Sequence, residues 1–212
     1  MVSETGNAVI TGGSRGLGLA LAKAMIGQGW TVVITGRNEA TLEEANRALD
    51  GLAVVIAGDV SDASHREAVA KRAHELGGLD VVVNNASILG PSPLPHLLDY
   101  PLDALEEVYR VNAIAPLALL QAVRPALKEG ARILNITSDA GVEAYEGWGG
   151  YGSSKAALEQ MSAVLAVENP DLRVYWVDPG DMRTDMHQAA FPGEDISDRR
   201  LRRRASRAYC GS

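Results

Sequence analysis

The sequence has few of the residues that build covalent cross-links or metal centres. Cys210 is the one cysteine in the chain of 212 residues, so no internal disulfide can form, which fits a reducing compartment. The histidines His65, His74, His96 and His187 show no ligand spacing with each other or with that cysteine. The pattern therefore predicts neither a disulfide-rich fold nor a metal site.

Long apolar runs are also missing from the sequence. None reaches the length of a membrane-spanning helix, and the first thirty residues lack the basic flank and apolar stretch of a signal peptide. The hydrophobic fraction of 46% is still ample for a sizeable core. We expect a soluble cytoplasmic protein that does not bind membranes.

Charge is unevenly distributed along the chain. The formal net charge is −7, yet residues 199–212 carry six arginines and no acid, so residues 1–198 sum to −13. An acidic body argues against nucleic-acid binding. The arginine-rich end is either a solvated tail or a basic patch for an anionic partner. We expect one domain over residues 1–196, followed by a basic, disordered tail over residues 197–212.

Short apolar runs alternate with helix-forming segments, and each run is almost unbroken. Such runs are typical of parallel strands that are buried on both faces. The predicted strands cover residues 7–11, 31–35, 53–57, 81–83, 131–137 and 173–177. The pattern predicts a Rossmann-like, doubly wound parallel sheet in a three-layer α/β/α domain. Residues 102–127 read as one long helix, bent at Pro116.

A glycine cluster lies between the first predicted strand and the first predicted helix. Gly12, Gly16 and Gly18 would let the backbone turn tightly, approach a pyrophosphate and present the free N–H groups of a helix start. After the second strand, Gly36 stands where an NAD-specific site has an acid, and Arg37 follows it. Arg37 and Arg15 suit a 2′-phosphate, so NADP is favoured over NAD.

Polar residues follow the ends of several strands, where parallel sheets bind ligands. Asp59 follows the third strand and Ser138 the fifth. Asn84 and Asn85 follow the fourth, as a turn or as a clamp on backbone and cofactor, and the sequence does not decide between the two.

Tyr151 and Lys155 lie one helical turn apart on the segment after Ser138. A nearby ammonium favours a phenolate, so the pair predicts a tyrosine whose pKa is lowered from about 10 towards the working range. Such a tyrosine can exchange a proton with a substrate oxygen.

Together these residues resemble the short-chain dehydrogenases/reductases, over the chain up to about Asp185. The matching motifs are Thr11-Gly12, Gly16-Leu17-Gly18, Asp59-Val60, Asn84-Asn85-Ala86, Asn112, Ser138, Tyr151-x3-Lys155, Pro179-Gly180 and Thr184.

The resemblance implies a catalytic role for four residues. Tyr151 would be the general acid/base and Lys155 would lower its pKa and bind the nicotinamide ribose. Ser138 would bind the substrate oxygen, and Asn112 would hold a water of a proton relay. It also implies a mobile lid, from Asp181 to about Asp195, and a set of cofactor contacts. That set is Gly12, Ser14, Arg15, Gly16, Leu17, Arg37, Asp59, Val60, Asn85, Ala86, Tyr151, Lys155, Pro179, Gly180 and Thr184.

The sequence departs from the family pattern in three places. Ser87 replaces the glycine that usually follows Asn-Asn-Ala, and Asp178 replaces the asparagine common before Pro-Gly. Residues 199–212 lack the apolar alternation of a strand, so we expect the family's seventh strand to be absent and the sixth to be an exposed edge. A frameshift or truncation is one hypothesis for this change.

The leading functional prediction is an NAD(P)H-dependent oxidoreductase that interconverts a small-molecule carbonyl compound and an alcohol. The alternative is a nucleotide-binding or regulatory protein of the same fold that does not turn over. The family default is a homodimer or homotetramer.

Overall fold

The computed structural model describes residues 5–180, 182, 185–193, 195 and 207–210. Seven strands form one sheet: β1 (Asn7–Thr11), β2 (Thr31–Gly36), β3 (Val54–Ala57), β4 (Leu79–Asn84), β5 (Leu127–Ile136), β6 (Arg173–Asp178) and β7 (Arg207–Cys210). The helices of the described ranges are α1 (Gly16–Ile26), α2 (Glu39–Ala48), α3 (Ala63–Glu75), α4 (Leu102–Tyr109), α5 (Ala115–Val123), α6 (Gly149–Glu168) and α7 (Asp185–Ala190). Short 3-10 turns lie at Leu97–Asp99, Arg124–Ala126 and Asp139–Gly141. None of these helices is both long and apolar enough to span a bilayer.

The sheet has the order β3-β2-β1-β4-β5-β6-β7, and its first six strands are parallel. The predicted doubly wound parallel sheet is therefore confirmed. The chain leaves β1 towards β2 on one side and reaches β4 on the other side only after β3. A crevice opens where the order reverses, at the carboxyl ends of β1 and β4.

Apolar side chains cover both faces of the sheet because successive residues of a strand point to opposite sides. Ile10 packs with Ala22 of α1 and Leu42 of α2 on one face. Val9 packs with Val69 of α3 and Leu119 of α5 on the other face. This two-sided burial explains why the strands read as unbroken apolar runs.

The long helix predicted over residues 102–127 is interrupted before Pro116. A π-helical segment, Arg110–Ile114, joins α4 to α5, and the Ala115 N–H bonds to the Arg110 carbonyl five residues earlier. Pro116 has no N–H to donate to the carbonyl of Asn112, four residues before it. The predicted irregularity is present, but it takes the form of a π segment centred on Asn112 rather than a bend at the proline.

Among the described residues, no parallel strand follows β6, as expected, but the edge of β6 that was expected to be exposed is covered by β7. Its four residues pair antiparallel with β6, with Trp176 opposite Tyr209 and Asp178 opposite Arg207. A parallel edge strand such as β6 presents unpaired backbone groups, and an extended segment can satisfy them whatever its side-chain pattern. Residues 207–210 therefore belong to the sheet and not to a disordered tail, whereas residues 197–206 and 211–212 lie outside the described part.

Candidate active site

A cleft of about 380 Å³ lies over the carboxyl ends of β1, β2, β3 and β4. This is a volume typical of small-molecule sites. The start of α1 closes one side of the cleft, where the first N–H groups of a helix have no partner within the helix. Among its lining residues are Gly12, Ser14, Arg15, Gly16, Leu17, Arg37, Asp59, Val60, Asn85, Ala86, Tyr151, Lys155 and Pro179.

The glycine loop is held in place from the end of β4. The side-chain amide of Asn85 donates to the carbonyls of Thr11 and Gly12 at 2.9 and 3.1 Å. The hydroxyl of Thr11 accepts the backbone N–H groups of Asn85 and Ala86, each at 3.0 Å. The question left open by the sequence is thus answered for Asn85, which is a clamp on the loop backbone.

Two glycines allow this close packing. A Cβ at Gly18 would lie 2.4 Å from the carbonyl oxygen of Gly12, so α1 can approach the loop only because residue 18 has no side chain. Gly12 itself has φ +65°, in the left-handed region that glycine adopts readily. The backbone is therefore free to line the cleft where a pyrophosphate would need to approach it.

The far end of the cleft combines one carboxylate with arginine side chains. Asp59 accepts hydrogen bonds from the backbone N–H and the hydroxyl of Ser61, at 2.8 and 2.7 Å. Burial raises the pKa of Asp59, but the bonds from Ser61 and the charges of Arg37 and Arg110 outweigh it and leave the pKa below its ordinary value. Asp59 is therefore ionised at neutral pH. No acid replaces Gly36 at the end of β2, where Arg37 follows.

Tyr151 and Lys155 are both buried at the inner end of the cleft, with exposed fractions of 8% and 2%. The ammonium of Lys155 lies 5.5 Å from the centre of the Tyr151 ring and donates to the Ile136 carbonyl at 2.8 Å. The predicted pair is therefore brought together on the first half of α6.

The predicted direction of the Tyr151 pKa is wrong for the protein alone. Burial, assisted by the charges of Asp139 and Asp178, raises the pKa of Tyr151 to about 12, although hydrogen bonds from Ser87 and Ser138 oppose the rise. Burial also lowers the pKa of Lys155 to about 8. Because both groups lose solvation together, desolvation outweighs the attraction on which the sequence argument relied.

Ser138 lies two residues beyond the end of β5, and it lines, together with Tyr151, a smaller cavity that adjoins the cleft. Its hydroxyl donates to the Asp139 carboxylate at 3.0 Å and accepts the Ala140 N–H at 3.3 Å. Apolar surface in this cavity comes from Trp148, whose ring packs edge-on against Tyr151 with centroids 5.7 Å apart.

Asn112 is fully buried, and its side chain uses all four of its hydrogen-bonding positions. Its Oδ1 accepts from the Ile88 N–H at 2.9 Å and from the Ser87 hydroxyl at 3.1 Å. Its Nδ2 donates to the Ile88 carbonyl at 2.9 Å and to the Ser154 hydroxyl at 3.0 Å. The side chain therefore links the β4–α4 loop to α6, and a water at this residue would have to use the backbone carbonyl instead.

Several residues that sequence reasoning did not assign also shape the site. Thr11 organises the clamp, the Ile136 carbonyl binds Lys155, and Ser87 donates to Asn112 and lines the cleft together with Tyr151. Ser87 was visible in the sequence only as a departure from the family glycine. Gly180 lines the smaller cavity, and its N–H donates to Asp178 at 2.8 Å. Thr184, a predicted cofactor contact, lies outside the described residues.

The residues present fit a nicotinamide dinucleotide. At Gly12 and Gly16 the cleft is lined by backbone rather than by side chains. A Cβ at Gly16 would have no other atom within 4 Å, so there is open space beside this backbone. The cleft runs from the pair Arg15 and Arg37 to Tyr151, so one elongated molecule could contact both ends. Within the described ranges, no three His, Cys, Asp or Glu side chains are grouped to hold a metal ion.

We compared the chain with protein-family models, with curated proteins and with solved structures. The family model for the short chain dehydrogenases matches residues 6–195. The chain belongs to the short-chain dehydrogenase family.

The most similar relatives and structures include oxidoreductases from several organisms. An uncharacterised oxidoreductase of Staphylococcus epidermidis is 33% identical over 192 residues, which cover 88% of this chain and 82% of the relative. Galactitol 2-dehydrogenase of Agrobacterium fabrum is 31% identical over 179 residues, or 82% of this chain and 69% of that protein. The structure of an alcohol dehydrogenase from Thermococcus sibiricus, complexed with 5-hydroxy-NADP, superimposes with a TM-score of 0.81 at 32% identity, covering 91% and 83% of the two chains. The short-chain dehydrogenase described here is thus an oxidoreductase of a family that binds nicotinamide cofactors.

Proposed function

We propose that the chain is an NADP(H)-dependent oxidoreductase that interconverts a carbonyl compound and an alcohol, with Tyr151 as the general acid/base. One observation carries the proposal: Tyr151 lines both the large cleft and the smaller cavity beside it. A group at that junction can reach a cofactor on one side and a substrate on the other. Bound NADPH would supply the hydride.

In carbonyl reduction, negative charge develops on the substrate oxygen, so proton donors must lie where that oxygen sits. With a pKa of about 12, Tyr151 is protonated at neutral pH and can donate its proton to the developing alkoxide. The Ser138 hydroxyl, in the same cavity, is the second donor. At neutral pH the tyrosine is therefore in the protonation state that carbonyl reduction requires.

Lys155 and Asn112 would support the proton transfer. The ammonium of Lys155 lies 5.5 Å from the centre of the Tyr151 ring, and its positive charge stabilises the phenolate that remains after proton transfer. A water that replenishes the proton would bind at the backbone carbonyl of Asn112. In a regular helix this carbonyl would accept the N–H of residue 116, but Pro116 has no N–H to donate.

The preference for NADP over NAD is supported by the arginines of the cleft. Arg15 and Arg37 both line it, while the end of β2 at Gly36 offers no carboxylate to hold a ribose 2′-hydroxyl. An arginine guanidinium instead suits a 2′-phosphate. The presence of 5-hydroxy-NADP in the Thermococcus sibiricus structure agrees with this preference.

The smaller cavity supports a partly apolar, uncharged carbonyl substrate. Trp148 and Met186 line it with apolar surface, and Asp178 lines it with a carboxylate. An anionic substrate would be repelled by that carboxylate and by Asp139 beside it.

The test is a set of assays with the purified full chain, NADPH and uncharged ketones and aldehydes of increasing size, following the loss of nicotinamide absorbance. We expect NADPH oxidation with formation of the corresponding alcohol, and slower turnover of carboxylated analogues. Tight NADPH binding without oxidation by any member of the panel would contradict the proposal and favour a binding protein of the same fold.

A further inference from the structure

The smaller cavity beside Tyr151 limits the size of a group that can lie against the tyrosine. Its volume is about 100 Å³, and Ser138, Trp148 and Tyr151 are among its lining residues. An engineered apolar cavity of about 150 Å³ holds one benzene molecule, so by proportion this cavity has room for about four carbon atoms. A substrate whose carbonyl oxygen meets Ser138 and Tyr151 would have to fit a substituent into this space.

Trp148 forms one wall of the cavity, and its backbone is fixed at the start of α6. It is the N-cap residue of that helix, and its carbonyl accepts the Gly152 N–H at 2.7 Å. Its ring packs edge-on against the ring of Tyr151, at an interplanar angle of 73°. Because Tyr151 comes three residues later on the same helix, the indole and the phenol lie on one face and keep a constant separation.

The indole of Trp148 also packs against Phe191, the first residue after α7. The centroids of these two rings are 5.9 Å apart, and their planes are tilted by 46°. Phe191 is not among the lining residues of either cavity, so it supports the indole rather than meeting a ligand. Contact with both Tyr151 and Phe191 restrains the rotation of the Trp148 side chain, as is usual for a packed aromatic ring.

Helix α7, which precedes Phe191, is anchored to the loop between β4 and α4. The Ser92 hydroxyl of that loop donates to the Ala189 carbonyl at 2.7 Å. Ala190 is buried in one apolar cluster with Leu89 of the same loop and with Tyr151. The helix is therefore seated beside the smaller cavity, and the position of Phe191 behind Trp148 follows from it.

We propose that Trp148 is a specificity-determining residue, which admits short aliphatic aldehydes and ketones and excludes compounds with a phenyl-sized ring on the carbonyl carbon. The inference rests on the proposed function, because it takes the smaller cavity as the site of the carbonyl substrate. A phenyl group is nearly as large as the benzene that needs about 150 Å³, so it would require the space that the indole occupies. Truncation of Trp148 to alanine would open that space.

The exclusion is steric, and its size follows from the packing of the indole. A larger group forced into a packed site must displace side chains, and the cost corresponds to about a tenfold to a hundredfold loss of affinity. Removal of Phe191 would leave the indole in place but free it to rotate. Its effect should therefore have the same direction as the loss of Trp148 and a smaller size.

The first experiment compares kcat/KM for butanone and for acetophenone with NADPH. The wild type should prefer butanone, and in Trp148→Ala we expect kcat/KM for acetophenone to rise at least about tenfold while that for butanone does not rise. Phe191→Ala should shift the ratio in the same direction by a smaller factor. Val142→Ala removes an exposed apolar side chain from the same loop between β5 and α6, lines neither cavity and should keep the wild-type ratio.

A wild type that reduces acetophenone as well as butanone would overturn the proposal, and so would an unchanged ratio in Trp148→Ala. Trp148 does not line the large cleft, so the NADPH affinity of Trp148→Ala should stay within about twofold of the wild type. This affinity, from nicotinamide fluorescence, shows that the variant is folded. An unchanged ratio in Phe191→Ala would overturn the support that Phe191 gives to the indole.

A second readout does not need turnover. Propanamide and benzamide carry a carbonyl group that is not reduced, and their binding to protein saturated with NADPH is followed by nicotinamide fluorescence. Benzamide should bind at least about tenfold more tightly to Trp148→Ala than to the wild type, whereas propanamide should bind both alike. Equal benzamide affinities, or no benzamide binding to either protein, would overturn the inference. Failure of the wild type to reduce any carbonyl compound would contradict the proposed function alone, and the amide titrations would still decide the role of Trp148.

Discussion

The buried ammonium of Lys155 is a costly group in the folded chain. Its exposed fraction is 2%, it donates to the Ile136 carbonyl, and burial lowers its pKa from 10.5 to about 8. The folded protein therefore binds fewer protons than the unfolded chain between those two pH values. The resulting penalty is fully present below pH 8 and is relieved as the pH rises towards 10.5, so this lysine makes stability increase with pH in that window.

Lys155→Met removes this titration. We expect the free energy of unfolding of the wild type, relative to Lys155→Met, to rise by up to about 3 kcal/mol from pH 8 to pH 10.5. Urea denaturation at a series of pH values measures it. The matched control is Lys71→Met, an exposed lysine of α3, for which the difference from wild type should stay flat. A flat difference for Lys155→Met as well would show that its ammonium is not desolvated.

Arg37→Ser tests how the cleft distinguishes the two cofactors. Removing the guanidinium should weaken NADPH binding by about ten- to a hundredfold and leave NADH binding almost unchanged, because only NADPH carries the 2′-phosphate. Nicotinamide fluorescence titration measures both affinities. Arg47→Ser removes an equal charge from an exposed position on α2 and should change neither. Equal weakening of both cofactors in Arg37→Ser would mean that this arginine does not bind the 2′-phosphate.

Among the secondary-structure elements, the strands were the most predictable from sequence. A parallel strand buried on both faces must be apolar throughout, so the runs at β1, β2 and β4 carried their own signal. Pro116 signalled an irregularity at Arg110–Ile114, but nothing in the sequence signalled its π form or the bonds of Asn112 to Ile88 and Ser154, which come from other parts of the fold. The same reason hid the hydrogen bond between Ser87 and Asn112, which are 25 positions apart in the sequence.

The glycine loop and α1 pack closely at Gly18, and a substitution there tests this packing. In Gly18→Ala, the new methyl group would lie 2.4 Å from the Gly12 carbonyl oxygen, so the loop and the helix must separate. We expect loss of NADPH binding and a lower free energy of unfolding, by about 2 kcal/mol or more. Fluorescence titration and urea denaturation measure the two effects.

Gly27→Ala is the control for that substitution. Gly27 has an ordinary helical φ of −62°, and a Cβ at this position would lie no closer than 3.3 Å to another atom. NADPH affinity should be unchanged in this variant. Wild-type affinity in Gly18→Ala would contradict the packing argument.

Across the sheet as a whole, the two faces are covered differently. Helices α3, α5 and α6 contribute to the core on one face, and α1 and α2 to the core on the other. Towards β6, on the face of α1 and α2, Leu134, Ile136 and Tyr175 are only half-buried. The edge of this end of the sheet is paired with β7.

Removal of residues 207–212 should expose the β6 edge. We expect a lower thermal midpoint, by several °C, and concentration-dependent association through the unpaired strand. Calorimetry and light scattering measure these changes, and removal of residues 211–212 alone is the matched control. An unchanged midpoint and a monodisperse sample would show that β7 contributes little to the sheet.

Tyr151→Phe tests the central claim most directly. NADPH-linked carbonyl reduction should fall by at least about a hundredfold, because the proton donor is lost, while NADPH affinity stays within about twofold of the wild type. The two quantities are measured on the same preparation, by absorbance and by fluorescence titration. Unchanged turnover with intact binding would contradict the assignment of Tyr151 as the general acid/base.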